Sequence, residues 1–122
     1  MAPTNGSAAM SSISLRIDLE ADGRIGPGKV ELLEQIASHG SISAGARQMS
    51  MSYKQAWTLV EDMNRIFRRP VVAAKKGGVR GGGAELTPVG LAIVARYRAI
   101  ERAAEAAAAP HIAALRHEIE NG

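Results

Sequence analysis

The 122-residue chain contains no cysteine. That excludes a disulfide framework and any thiolate zinc site, and it fits a reducing, cytoplasmic setting. No apolar run approaches the roughly 18–20 residues that cross a bilayer, so no membrane association is expected. The first twelve residues, MAPTNGSAAMSS, have neither a basic start nor an apolar stretch and do not read as a secretory signal. Residues 1–12 are expected to form a disordered tail. The glycine run GGVRGGG at 77–83 fits neither G-x-G-x-x-G nor the phosphate loop G-x-x-x-x-G-K-[ST]. His39, His111 and His117 form no i, i+4 pair that would hold a metal. Glu61 and Asp62 are adjacent and diverge on a helix, and the serines have no partnering His-Asp pattern. No catalytic residue, cofactor or metal is expected; this is not an enzyme.

The chain has the size of one compact domain, and 46% hydrophobic with 22% charged residues is ordinary for a folded chain. The net charge is +3, and its distribution is uneven. Residues 68–88 carry Arg68, Arg69, Lys75, Lys76 and Arg80 against Glu85 alone, more than the whole excess, in the glycine-rich stretch. Clustered Lys and Arg on a glycine-rich backbone can follow a phosphate chain.

Residues 13–20 alternate strictly, Ile13, Leu15, Ile17 and Leu19 against Ser14, Arg16, Asp18 and Glu20, which predicts a half-buried strand. Asp22-Gly23 supplies a turn and Arg24-Ile25 a short return. A helix is expected over 28–39, with Val30, Leu33 and Ala37 on one face, widened by Leu32 and Ile36, ending at Gly40. A short helix over 42–49 follows, capped by Ser41 or Ser43, with Gly45 where another helix crosses closely. Ser50, Met51 and Ser52 separate it from the best-patterned segment, where Tyr53, Ala56, Val60, Met63 and Phe67 form a continuous core stripe. Ser52 and Gln55 stand in capping-box relation. Lys54, Thr58, Glu61 and Arg65 lie opposite, and Trp57 reads as a packing residue. Residues 71–74 and 84–86 are expected to pair as a ribbon. Thr87-Pro88 starts a last helix that reaches Pro110, where it kinks or breaks before a short amphipathic segment carrying Ile112, Leu115 and Ile119. An apolar face there needs a cover, and a second copy of the chain is the simplest.

Helix, helix, three-residue turn, helix, then a glycine-tipped ribbon is the order of a winged helix-turn-helix. The fold class expected is mainly α with a small β wing. The helix after the turn would present its first polar turn to a major groove, while the ribbon reaches the phosphate backbone or minor groove. Ser52, Lys54, Gln55 and Thr58 are the groove-facing candidates. Gln55 can pair adenine or serve the cap, and both roles stay open; Lys54 can donate to guanine or neutralise a phosphate.

Gly40-Ser41-Ile42-Ser43, Ser52-Tyr53-Lys54 with Ala56-Trp57, Met63-Asn64, and the glycines from Gly77 to Gly83 followed by Ala84, Leu86-Thr87 and Gly90 closely resemble the N-terminal DNA-binding domain of ModE-type molybdate-responsive transcription regulators. The resemblance covers about residues 13–105. It implies a domain that dimerises through helices outside the reading head and binds a palindromic operator. It also implies that Ser52, Tyr53, Lys54 and Gln55 begin the recognition helix and that Lys75, Lys76 and Arg80 belong to the wing; since Tyr53 lies on the core stripe as well, its ring is expected to pack inward while its hydroxyl reaches a phosphate. Ser41 and Ser43, in the matched G-S-I-S, join the candidate DNA contacts. Family members commonly have a lysine between the two glycine groups of the wing; here Val79 is followed by Arg80, so the charge moves one position. Full-length members continue into oxyanion-binding domains, and nothing in this chain resembles them. Molybdate binding by this chain is therefore not supported, although the resemblance implies a link to molybdenum metabolism.

The organisation expected is a tail at 1–12, a winged helix-turn-helix DNA-binding domain at 13–88 and dimerisation helices at 89–122. The reading is a cytoplasmic, homodimeric, sequence-specific regulator of transcription whose partner is double-stranded DNA. The rivals are a protein-interaction module built on the same fold and a small oxyanion-binding protein using the wing glycines as donors.

Overall fold

The computed structural model describes residues 13–75 and 82–122. The expected tail at 1–12, and Lys76 and Arg80 of the wing, lie outside the described residues.

The first ribbon pairs β1 (Ile17–Glu20) antiparallel with β2 (Gly23–Ile25). β1 is half as long as the alternation over 13–20 predicts, because its partner β2 offers only three residues, and a bulge between Asp18 and Glu20 takes up the fourth. The Leu15 carbonyl accepts instead from the hydroxyl of Tyr97 at 2.7 Å. Burial raises the phenol pKa of Tyr97 above its ordinary value.

Helix α1 (Pro27–His39) opens with proline at its first position, where no N–H is needed, and closes on Gly40 at φ +82°. Val30, Leu32, Leu33 and Ile36 are fully buried. Ala37, expected on this face, is exposed together with residues 38 and 39, while its neighbour Ile36 is fully buried, so the last turn points its Ile36 side to the core and Ala37 outward. Helix α2 (Ile42–Gln48) is capped by Ser41, whose Oγ accepts from the Ala44 N–H at 3.0 Å. It crosses α1 closely at Gly45, where a Cβ would lie 2.8 Å from Ile36 Cγ1 and 3.0 Å from the Ile36 nitrogen.

The link from α2 to helix α3 (Tyr53–Phe67) is residues 49–52, with Ser50 left-handed at φ +55°. In α3, Ala56, Val60 and Met63 are fully buried and Phe67 is half-buried. Tyr53 departs from the expected stripe: it is 53% exposed. It occupies the first turn, where the helix projects beyond the residues that cover Ala56 and Val60.

The second ribbon pairs β3 (Val72–Ala74) antiparallel with β4 (Ala84–Leu86), Val72 opposite Leu86 and Ala74 opposite Ala84. Thr87 then caps helix α4 (Pro88–Asn121), accepting from the Gly90 N–H at 3.2 Å. α4 is held to α1 by Arg98, which donates to both Glu34 oxygens at 2.7 and 3.0 Å and to Glu101 at 2.8 Å. These bonds raise the guanidinium pKa still further above its already basic value. The core thus lies among α1, α2, α3, the base of the second ribbon and the first turns of α4.

The expected break at Pro110 does not occur: α4 is one helix of 34 residues with Pro110 inside it, not two C-terminal helices. Proline deletes one N–H in the ladder, but the alanines on both sides have the highest helix propensity and carry the helix across the gap. Pro110→Ala should restore that bond, an intrinsic gain of up to about 3 kcal/mol of local helix stability. The expected result is higher helicity by circular dichroism and slower amide exchange around residue 110. The main unfolding transition should move little, because the buried residues of α4, Gly90, Ile93 and Tyr97, all lie in its first three turns.

Candidate nucleic-acid interface

The start of α3 is an exposed polar turn, with residues 52–55 all exposed. Ser52 is its N-cap, with Oγ accepting from the Gln55 N–H at 3.0 Å, so the backbone half of the expected capping box is present. The Gln55 side chain is exposed and makes no hydrogen bond among the described residues, which leaves its carboxamide free to donate and accept. Lys54 is exposed and without an ion pair among them. Thr58 donates its hydroxyl to the Lys54 carbonyl at 3.0 Å and keeps its acceptor capacity. The first turn contains no acidic residue. Its amides and dipole therefore add to the Lys54 charge in favouring an anion.

Acids appear only further along the helix. Asp62 is neutralised from two sides, by Lys29 on α1 and by Arg65 on α3. The hydrogen bond from Lys29 leads in holding its carboxyl pKa below the usual value, against the opposing effect of desolvation.

Tyr53 and Trp57 form an edge-to-face pair, with ring centroids 6.4 Å apart. The Trp57 indole N–H donates to the Tyr53 hydroxyl oxygen. Trp57 also packs against the core as a half-buried residue, as its sequence reading has it. The polar half of its role was missed, although the i, i+4 spacing was the available signal.

The wing base is fixed against the turn between α1 and α2. The Ala84 N–H donates to the Gly40 carbonyl at 2.7 Å, and the Lys75 N–H donates to the Gly83 carbonyl at 3.0 Å. This brings exposed Lys75 beside the Gly40-Ser41 corner. Ser41 itself is half-buried and engaged as a cap; Ser43 is exposed and accepts from Arg47 at 3.4 Å. No hydrogen bond or ion pair joins Lys75 to the first turn of α3 among the described residues. These features define a winged helix-turn-helix domain: a helix pair joined by a tight turn, an exposed polar entry to the second helix, and a ribbon anchored beside the first.

Comparison with known proteins places that domain. It is 51% identical over 84 residues to the molybdenum-pterin-binding protein MopB of Rhodobacter capsulatus, covering 68% of this chain and 31% of MopB. It is 38% identical over 87 residues to the molybdenum transport protein ModE of Azotobacter vinelandii, 71% of this chain and 32% of that protein. With the DNA-binding transcriptional dual regulator ModE of Escherichia coli K12 it shares 37% over 87 residues, 71% of this chain and 33% of the regulator. No protein-family model matches the chain. Over this domain the chain is a homologue of the ModE-type regulators and the Mop proteins, and it spans about a third of the length of the relatives it matches. No helix among the described residues is long and apolar enough to cross a membrane.

Proposed function

We propose that this chain binds double-stranded DNA as a homodimer and regulates transcription by occupying a promoter site with inverted-repeat symmetry. The observation that carries the reading is the start of α3: Lys54 and Gln55 are exposed in a first turn without acidic residues and have uncommitted side chains, and Thr58 follows one turn on, exposed, with its hydroxyl donated to the Lys54 carbonyl. That is the chemistry that reads base edges in a major groove. Lys75, with Lys76 and Arg80, supplies the sequence-independent phosphate contacts. Likeness to regulators named for molybdenum extends the reading to genes of molybdenum handling.

Dimerisation is supported by the apolar surface left on α4. Ile100, Leu115 and Ile119 are exposed and fall on one side of the helix, while exposed Leu91 lies on the other. An apolar groove of about 280 Å³ lies alongside, bounded by Leu19, Ile25, Phe67, Ile93, Tyr97 and Ile100. Burying the three side chains that share a face contributes roughly 5–9 kcal/mol. That is of the same order as the freedom lost on association, so the face and the groove are needed together.

Selection of bound sequences from a random duplex library tests the function, with an inverted repeat as the expected product. Random output from a protein that is folded and dimeric overturns the reading. In the same assay Gln55→Ala and Thr58→Ala should relax preference at one position per half-site by about 1–3 kcal/mol while leaving the other positions unchanged.

A further inference from the structure

We infer that Tyr53 is a phosphate clamp held in position by Trp57, an assignment that rests on the DNA reading above and adds to it a contact of a different kind. The Tyr53 ring is half exposed at the mouth of α3, and its hydroxyl is the only group at that turn with its acceptor side occupied by a side chain and its donor side open. A phenol carries one O–H donor and accepts through its lone pairs. The indole N–H of Trp57 takes up an acceptor site, and the phenolic proton has no acceptor among the described residues. The donor is therefore turned away from the indole, toward solvent. The ring cannot swing freely, because Trp57 is half-buried against the core and meets Tyr53 edge-on at an interplanar angle of 77°.

A donor thus oriented, beside the amide-rich N-terminus of α3, suits one anionic oxygen: a phosphate of the DNA backbone flanking the groove that α3 enters. Accepting from Trp57 also makes the phenol a stronger donor, since hydrogen bonds in a chain polarise one another. Tyr53 touches the phosphate; Trp57 is a positioning residue that acts through it.

A neutral donor contributes affinity without releasing a counterion, which separates this contact from the lysines. Tyr53→Phe and Trp57→Phe each keep a ring and remove one polar group. In the full chain each is expected to weaken binding to the duplex selected by the wild-type protein about 10-fold, with the slope of log affinity against log salt unchanged. The double variant should lose about the same 10-fold, because both substitutions break one chain of hydrogen bonds. Trp57 is the sole tryptophan, so its indole N–H gives a single resonance in a nitrogen–proton spectrum. Tyr53→Phe should move that resonance upfield and speed its exchange with solvent in the free protein. Wild-type affinity for Tyr53→Phe or Trp57→Phe, or losses that multiply in the double variant, overturns the clamp alone. A wild-type protein that binds no duplex overturns the DNA reading and the clamp with it.

Discussion

Gly90→Ala is expected to destabilise the domain by about 2 kcal/mol net, from an overpacking cost of about 3 kcal/mol at the upper end of what a tight contact exacts. An alanine Cβ at this position would lie 2.2 Å from the Val71 carbonyl oxygen, 3.2 Å from its carbon and 3.3 Å from Leu86 Cβ. Relief by movement of Val71 is blocked. Its side chain is fully buried, its N–H is bound to the Asn64 side chain at 2.8 Å, and its carbonyl accepts from the Thr87 N–H at 3.1 Å. The alternative is to lift α4 off the wing base. Against this stands only the gain of about 1 kcal/mol that alanine has over glycine inside a helix. For a domain near 100 residues the net loss corresponds to a melting temperature lower by roughly 8–16 °C. Gly28→Ala is the matched control. It also lies in the first turn of a helix, but a Cβ there meets nothing within 4 Å. A small gain of about 0.4–1 kcal/mol is expected, through the unfolded chain. Thermal unfolding followed at a helix signal reads both; equal melting of Gly90→Ala and wild type would contradict the close approach of α4 to Val71.

The contrast between these two glycines also marks what the sequence makes legible. Local chemistry reads well. Ser52 and Thr87 cap their helices, Gly40 ends α1 in the left-handed conformation, and Ala56, Val60 and Met63 fall on the buried face of α3. Each depends on neighbours within one or two turns. Periodicity is less informative at the ends of elements, where the angular position of a residue stays on the core face but the core has stopped. Tyr53 is exposed for that reason. The alternation of residues 13–20 continues past its partner strand, and Leu15 finds its hydrogen bond 82 residues away on Tyr97. The wing base is fixed by the bond from Ala84 to Gly40, and no pattern in either segment announces it. Within the candidate site, the exposure of Lys54 and Thr58 follows from their positions opposite the core stripe, whereas the choice for Gln55 between cap and free side chain needed coordinates. The pairing of Tyr53 with Trp57 needed coordinates, because an i, i+4 aromatic pair can equally pack ring on ring without a hydrogen bond.

Neutralising the wing, with Lys75, Lys76 and Arg80 all changed to alanine, is expected to give the largest loss of DNA binding of any surface change. If each protomer sets four to five cations on phosphates, a wild-type dimer has a slope of roughly −7 to −9 for log affinity against log salt. Removing three per protomer takes away six per dimer and flattens the slope by roughly 5. Between 50 and 200 mM salt the wild-type protein should then lose roughly 10⁴–10⁵ in affinity and the variant only about 10–10². Because phosphates carry no sequence, the loss at low salt should be alike for an operator and a random duplex, unlike that of Gln55→Ala. Folding should be untouched: Lys75 is exposed, and the bond that secures this end of the ribbon uses its backbone N–H rather than its ammonium. Arg102→Ala separates local contact from overall charge. It removes an exposed cation from α4 beyond the turns that pack on the domain, and should leave the slope as it is, whereas Lys75→Ala alone should flatten it by roughly 2. If the triple variant keeps the wild-type slope, the glycine-rich ribbon does not face DNA, and the phosphate contacts must come from the helices.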